Sequence, residues 1–249
     1  MYHSDITLKE GAVFVTDAHY NKPKGETALF KLLQKIASNE IDTPQLFLLG
    51  DIFDALFGGV PHTAKENEAV IALIKEIAKS KEVIYLEGNH DFQLHKFFPD
   101  NIAIFPIQKQ PLLIHGNDKT ICLAHGDFDA PFGYKLYTSL IRNPFVLFFL
   151  NIYDSLTKHS ILNFVELHMS KKDQCSSFDW FDDFTKKRFK NGCECDIFVD
   201  GHFHQNRSFS YKNCKYVNLG AFACNQRYFV VKFAQDEIIF EEKTLRKER

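Results

Sequence analysis

The chain has 249 residues and a near-neutral net charge of -2, with 30 Lys and Arg against 32 Asp and Glu. That length suits one well-buried domain or a domain carrying a sizeable insertion, and it leaves little room for two. The absence of a long basic block weighs against a general nucleic-acid binder, so no nucleic-acid partner is expected.

The first ten residues, Met1 to Glu10, are polar and charged without an apolar stretch, which argues against a secretory signal and for a cytoplasmic protein. The first buried run, Ala12 to Val15, reads as a strand and leads into Asp17-Ala18-His19. Leu29, Leu33 and Ile36 then recur at helical spacing. A second apolar run, Leu46 to Leu49, ends on Gly50-Asp51, and Val70, Leu73, Ile74 and Ile77 form the next helical stripe. Val83 to Leu86 precedes Gly88-Asn89-His90-Asp91, and Ile121 to Leu123 precedes His125-Gly126-Asp127.

The stretch from His125 to Gly201 is too long for a loop between core elements and must carry structure of its own. Leu136, Leu140 and Ile141, then Phe148, Phe149 and Ile152, then Leu162, Val165 and Leu167 predict helices, broken near Pro144 and around Thr157 to Ser160. Residues 130–192 are therefore expected to form an inserted helical cap lying over the cleft of a single domain spanning 1–249. Its run Phe145 to Leu150 falls far short of the ~20 apolar residues needed to span a bilayer, though it suits contact with a membrane surface. Ile197 to Val199 leads into Gly201-His202-Phe203-His204. Short apolar runs follow at Tyr216 to Leu219, Tyr228 to Phe233 and Glu237 to Phe240, expected to be antiparallel strands closing a second sheet. The charged end, Lys243 to Arg249, is expected to fray. The fold class predicted is α/β, a two-sheet sandwich flanked by helices. The six cysteines lack Cys-x-x-Cys pairs, and for a cytosolic chain they are expected to be reduced thiols.

Five segments thus place oxygen or imidazole donors where strands end, and strand ends gather on one edge of a layered α/β fold. Asp17 and His19, two residues apart, would point to one side of a strand and grip one ion. Asp51 has lone pairs enough to bridge two ions, Asn89 adds an amide oxygen, and His125, His202 and His204 add imidazoles. Any one of these residues alone would more often be a surface or hydrogen-bonded core group. Their joint appearance, in order and after apolar runs, predicts a dinuclear metal site.

The ordered motifs Asp-x-His, Gly-Asp, Gly-Asn-His-Asp, His and Gly-His-x-His resemble those of the calcineurin-like metallophosphoesterases, and all five are matched. The resemblance implies one metal on Asp17, His19, Asp51 and His204 and another on Asp51, Asn89, His125 and His202. Mixed oxygen and imidazole ligands fit manganese or iron better than magnesium, with zinc left open by ligand type, and two manganese ions are the first choice of cofactor. His90 is then placed to neutralise phosphoryl charge or protonate the leaving oxygen, with Asp91 as its orienting partner.

The position of the cap, its Tyr134 and Arg142-Asn143-Pro144 leading into Phe145 to Leu150, and the closing Val217 to Phe222 and Tyr228 to Lys232 are similar to the UDP-2,3-diacylglucosamine pyrophosphohydrolases of lipid A biosynthesis. That likeness implies an amphiphilic UDP-sugar lipid as substrate, with Arg142, Phe148, Phe149, Lys171 and Lys172 as binding residues. It also implies a protein at the cytoplasmic face of the inner membrane. The chain departs from that family at His90, where Arg is common, and at Gln205-Asn206, where Arg-Pro is common. Soluble nucleotides or phosphoproteins stay open as substrates, and a metal-free interaction scaffold stays open as a third reading.

Overall fold

The computed structural model describes residues 1–21, 27–129, 132–169 and 173–245. The first half runs β1 (Tyr2–Thr7), β2 (Val13–Val15), α1 (Ala28–Ala37), β3 (Gln45–Leu49), β4 (Leu56–Phe57), α2 (Pro61–Glu66), α3 (Glu68–Ile77), β5 (Glu82–Leu86), β6 (Asp91–Phe92), β7 (Ile102–Phe105), β8 (Leu112–Gly116) and β9 (Lys119–Leu123). Four helices follow: α4 (Phe132–Ile141), α5 (Pro144–Leu156), α6 (Ser160–Met169) and α7 (Phe181–Arg188). The chain returns through β10 (Ile197–Asp200), β11 (Arg207–Tyr211), β12 (Cys214–Asn218), α8 (Phe222–Asn225), β13 (Arg227–Ala234) and β14 (Glu237–Thr244).

Two six-stranded mixed sheets stack face to face, ordered β14-β13-β2-β3-β5-β7 and β1-β8-β9-β10-β12-β11. β2, β3 and β5 are parallel neighbours, covered by helices on one face and by the other sheet on the second. Burial on both faces is why they read as continuous apolar runs rather than alternating ones. Between the sheets Phe14 stacks on Phe47 at 4.3 Å, among Leu49, Ile84, Ile114, Ile121, Leu123 and Val199. On the outer face Leu29, Leu32, Leu33 and Ile36 of α1 and Val70, Ile74 and Ile77 of α3 complete a second core. Thr27 starts α1 by accepting a hydrogen bond from the Phe30 amide.

The closing strands differ from expectation. β13 and β14 do not build the second sheet; they extend the first, β13 pairing antiparallel with β2, while β12 joins the second sheet parallel to β10. β1, too polar to stand out in the sequence, is a half-exposed edge strand paired with β8. Lys243 and Thr244, expected to fray, are still in β14. The cysteines are also not free thiols: Cys122–Cys195, Cys175–Cys224 and Cys193–Cys214 are disulfides. Pairing of β9, β10 and β12 brings Cys122 to Cys195 and Cys193 to Cys214, and the loop after α6 brings Cys175 to Cys224 of α8, across separations of 73, 21 and 49 residues that spacing along the chain cannot reveal.

The helical stretch breaks where the sequence predicts. Asn143 caps α5, its side chain accepting from the Phe145 and Val146 amides with Pro144 at the first helical position. Asp154 then accepts from the Ile161 and Leu162 amides at the start of α6. Leu147 and Leu162 pack with Val60 and Phe92, docking this insertion on the core. Among the described residues, no helix is long and apolar enough to cross a membrane.

Candidate metal centre

The donor segments do converge at the strand ends, but the donors themselves have left the strands. Asp17, His19, Asp51, His202 and His204 all have positive φ, between 47° and 60°. Five non-glycine residues in the left-handed region at one place is strain concentrated at a site, each costing on the order of 1 kcal/mol or more. Asp17 and His19 therefore meet through a pair of tight backbone turns and not through strand alternation. Those turns are pinned by hydrogen bonds from the Asp17 amide to Gly50 O at 3.1 Å and from the His19 amide to Asp51 O at 3.0 Å. Gly50 itself has φ +79°, and a Cβ there would meet the His125 ring. Gly201 is just as constrained, because a Cβ would strike Thr16 Oγ1 and Asp17 Oδ2.

Two donor groups result: Asp17, His19 and His204, and Asp51, His125 and His202, with the ligand atoms of each within 4.8 Å of one another. In the first, His204 Nε2 lies 3.0 Å from Asp17 Oδ1. In the second, His125 Nε2 lies 3.4 Å from Asp51 Oδ2, 3.3 Å from Asn89 Oδ1 and 3.2 Å from His202 Nδ1. The other ring nitrogens are engaged behind: His125 Nδ1–H donates to Leu49 O at 2.9 Å and His204 Nδ1–H to Gln174 O. His19 Nδ1 faces Asp54 Oδ1 at 3.2 Å. Backing of this kind sets the tautomer and leaves the opposite nitrogen free to ligate.

The charge balance fits cations. Although burial alone would raise Asp17, the His204 charge beside it holds its carboxyl down at about 2. Burial lowers His204, but Asp17 outweighs it and pushes the imidazole up to about 9. Against its burial, His125 is likewise raised by Asp51, and although burial alone would raise Asp51, the His125 and His90 charges hold it well below the usual carboxylate range. Burial and the neighbouring His125 lower His202 to about 4. Buried carboxylates that draw protons onto adjacent imidazoles mark positions where a divalent ion would take the protons' place. Asp17 Oδ1, buried and facing the His204 imidazole at 3.0 Å, is one such ligand atom.

His90 lies at the mouth of this group. Its amide donates to Asp51 Oδ1 at 2.8 Å, and its Nδ1–H donates to Asp54 O at 3.0 Å. Nε2 is turned toward the site, 4.0 Å from Asp51 Oδ2. Burial lowers its pKa, with the Asp51 charge opposing. Because Nδ1–H is committed to Asp54, a proton given to a leaving oxygen must come from Nε2, so His90 can act as an acid only as imidazolium.

Asp91 does not touch His90. Its carboxylate is fully buried and accepts from the Asp51, Ile52 and Gly88 amides at 3.0, 2.7 and 2.9 Å and from the Tyr85 hydroxyl at 2.6 Å. Burial and the Asp51 charge push it up to about 7, with the Tyr85 and Gly88 hydrogen bonds opposing. It ties the Asp51 and Asn89 loops together instead of orienting a catalytic imidazole.

A cavity of about 680 Å³ opens on the donors and continues under the helical insertion. His19, Asp51, Asn89, His90, His202 and His204 line one end, and Phe57, Val60, Ile141, Leu147, Leu150, Leu162 and Val165 line the other. Phe148 and Phe149 are not among its lining residues; they are 57% and 67% exposed. The 3.6-residue period of α5 puts Leu147, Leu150, Asn151 and Asp154 on the cavity side and turns the two rings outward. Arg142 is also diverted, donating from Nη2 to Gly88 O at 2.9 Å. Lys171 and Lys172 lie outside the described residues. Three supporting residues went unnoticed in the sequence. Asp54 backs His19 and His90, Thr16 Oγ1 donates to Asp17 Oδ2 at 2.5 Å, and Gln110 Oε1 accepts from the His125 amide at 2.7 Å. Asp54, three residues after Asp51, was within reach of inspection; nothing local marks Gln110.

These donors at the strand ends of a two-sheet sandwich define a metal-dependent phosphoesterase site. A family model for calcineurin-like phosphoesterases matches residues 12–206, and the chain belongs to that family. Among curated proteins, the chain is similar to a UDP-2,3-diacylglucosamine hydrolase of Psychromonas ingrahamii, 28% identical over 152 residues, covering 56% of this chain and 58% of that protein. It is also similar to a UDP-2,3-diacylglucosamine hydrolase of Pseudomonas fluorescens, 30% identical over 119 residues, 47% of each. The chain thus spans about half the length of the curated relatives it matches. Among solved structures, Yfce, a phosphoesterase from E. coli, matches 94% of this chain and 99% of its own at 16% identity and a TM-score of 0.44.

Proposed function

We propose that the protein hydrolyses the pyrophosphate of UDP-2,3-diacylglucosamine, releasing UMP and 2,3-diacylglucosamine 1-phosphate, with residues 130–192 acting as a cap over the site. The observation that carries this reading is the single cavity with metal donors at one end and an aliphatic wall from α5 and α6 at the other. An amphiphile needs both surfaces within one molecular length. A small soluble phosphoester needs only the first.

In this reading Asp17, His19, Asp51 and His204 hold one ion and Asp51, Asn89, His125 and His202 the other, with manganese favoured by the mixed donor set. When bound, the two ions supply charge neutralisation and a water acidified enough to attack phosphorus. Leu49 O, Gln174 O and Asp54 keep the imidazoles turned with their free nitrogens inward. His90 Nε2 delivers a proton to the oxygen released as the phosphorus–oxygen bond breaks. Leu147, Leu150 and Leu162 exclude water around the acyl chains.

The outward face of the insertion, with Phe145, Phe148, Phe149 and Leu156 at 77%, 57%, 67% and 79% exposure, supports seating on the membrane that carries such a substrate. The location proposed is the cytoplasmic face of the inner membrane. A reducing cytoplasm would keep the three cysteine pairs open, so thiol state reports directly on compartment.

The test compares UDP-diacylglucosamine in detergent micelles with bis(p-nitrophenyl) phosphate, each with Mn2+ and with a chelator. UMP release that depends on Mn2+, at a kcat/KM well above that for the small diester, is expected. A preference for the soluble diester would overturn the lipid reading and leave the family assignment standing.

A further inference from the structure

The α4–α5 elbow is tied to two of the metal loops through Arg142. Arg142 sits between the end of α4 and the Asn143 cap of α5. Its Nη2 donates to the carbonyl of Gly88, the residue before the donor Asn89, at 2.9 Å. The same Nη2 is 3.6 Å from Asp127 Oδ2, two residues after the donor His125. Asp127 is buried, and among the described residues neither of its carboxylate oxygens accepts a hydrogen bond, so the guanidinium is its counter-charge. The grip is returned from the core: Gln93 Nε2 donates to the Arg142 carbonyl at 2.6 Å, and the Arg142 guanidinium lies 5.4 Å over the Phe92 ring. Gln93 holds a left-handed backbone, φ 56°, two residues after Asp91.

We propose that Arg142 is a positioning residue rather than a substrate contact: it couples docking of the helical insertion to the placement of Asn89 and His125, and so to one metal position and not the other. The inference rests on the two-ion reading above. The selectivity follows from where the contacts fall. Gly88 and Asp127 flank donors of the Asp51, Asn89, His125 and His202 set. The Asp17, His19 and His204 donors are held by Gly50 O, Thr16, Asp54 and Gln174 O, none of which Arg142 touches. Nη2 carries two N–H donors and so faces the Gly88 carbonyl and the Asp127 carboxylate at once while the guanidinium plane lies over Phe92, a placement that a Lys ammonium does not reproduce. An insertion that lifts off the core would take the Arg142 fork with it, so the second ion would be held firmly only while the cavity is roofed.

The experiment titrates metal-stripped protein with Mn2+, following free and bound ion by electron paramagnetic resonance, in parallel with thermal unfolding and separate kcat and KM. Arg142→Met keeps the apolar stem over Phe92 and removes the fork. It is expected to bind one Mn2+ as the wild type does and the other ~10- to 100-fold more weakly, the usual effect of removing a group that orients metal ligands. Its kcat should recover as Mn2+ is raised, with KM little changed, and Arg142→Lys should restore the second affinity only in part. Gln93→Asn, compatible with the left-handed backbone but one methylene short, should reproduce the selective loss from the core side. Both ions held at wild-type affinity with KM raised would overturn the inference in favour of substrate contact. Equal weakening of both ions in both variants would overturn it in favour of a general brace. Wild-type protein that takes up fewer than two Mn2+ would defeat the two-ion reading before any substitution is made.

Discussion

Replacing Asp91 separates a structural role from a catalytic one. Its carboxylate accepts four buried hydrogen bonds of 2.6 to 3.0 Å, three of them from backbone amides of the Asp51 and Gly88 loops. Asp91→Ala strands those donors where water has little access, at about 1–3 kcal/mol for each left unsatisfied. A water entering the vacated volume can serve two or three of them, which brings the expected loss to about 1–6 kcal/mol. Against a total of about 5–15 kcal/mol for a domain, that is a large fraction. Asp91→Asn keeps one acceptor oxygen and should lose roughly half as much. Urea unfolding of metal-stripped protein gives the first number and Mn2+ titration the second. Both ions should bind more weakly, because Asp51 and Asn89 ride on the loops that Asp91 ties together. An Asp91→Asn protein with a wild-type unfolding midpoint, full metal content and a slowed, pH-shifted turnover would refute this argument and restore Asp91 as the partner of His90.

Four other outcomes are expected. His90→Ala should retain both ions and slow turnover by ~10²- to 10⁴-fold, and in the wild type this acid should lose activity as pH rises, since Nε2 donates only from the imidazolium; loss of metal with activity would assign it to the ligand set. Leu147→Ser should raise KM for the lipid substrate more than Phe148→Ser and Phe149→Ser together, whereas the double Phe change should mainly reduce binding to anionic vesicles; the reverse ranking would return the two rings to the cavity. Metal-free protein should be most stable where Asp17 is ionised and His204 protonated. The His204 contribution is complete below its ordinary 6.5 and lost as pH rises through about 9, while that of Asp17 is complete above 3.8 and lost as pH falls through about 2. The alkaline loss is on the order of 3 kcal/mol, and a melting temperature that stays flat between pH 6.5 and 9 in chelator would count against the ion pair. Finally, protein purified without reductant should show no free thiol on denaturation, given three disulfides among six cysteines, whereas protein trapped with maleimide inside the cell should label at all six if it sits in a reducing cytoplasm; disulfides intact in the cell would overturn the proposed location.

What the sequence determined by itself was the order of strands and donors. β2, β3 and β5 are buried on both faces, so each is a continuous apolar run, and Asp17, Asp51 and Asn89 follow those runs directly. The helical stripes of α1 and α3 and the breaks at Pro144 and before Ser160 were legible for the same reason, because each depends on neighbours within a turn or two. The tertiary structure alone decided where side chains point once the regular elements end. Asp17 and His19 meet through left-handed backbone rather than strand alternation, and Asp91 turns inward to amides from two different stretches of chain. It also selected Leu147 and Leu150 over Phe148 and Phe149 for the cavity wall, since an almost wholly apolar helix does not declare its inner face. Cysteine pairing, the backing of His125 by Gln110 and the capture of Arg142 by Gly88 and Asp127 are set by contacts between residues far apart in the chain. Local pattern carries burial and periodicity; it does not carry the partner that a buried polar group must find across the fold.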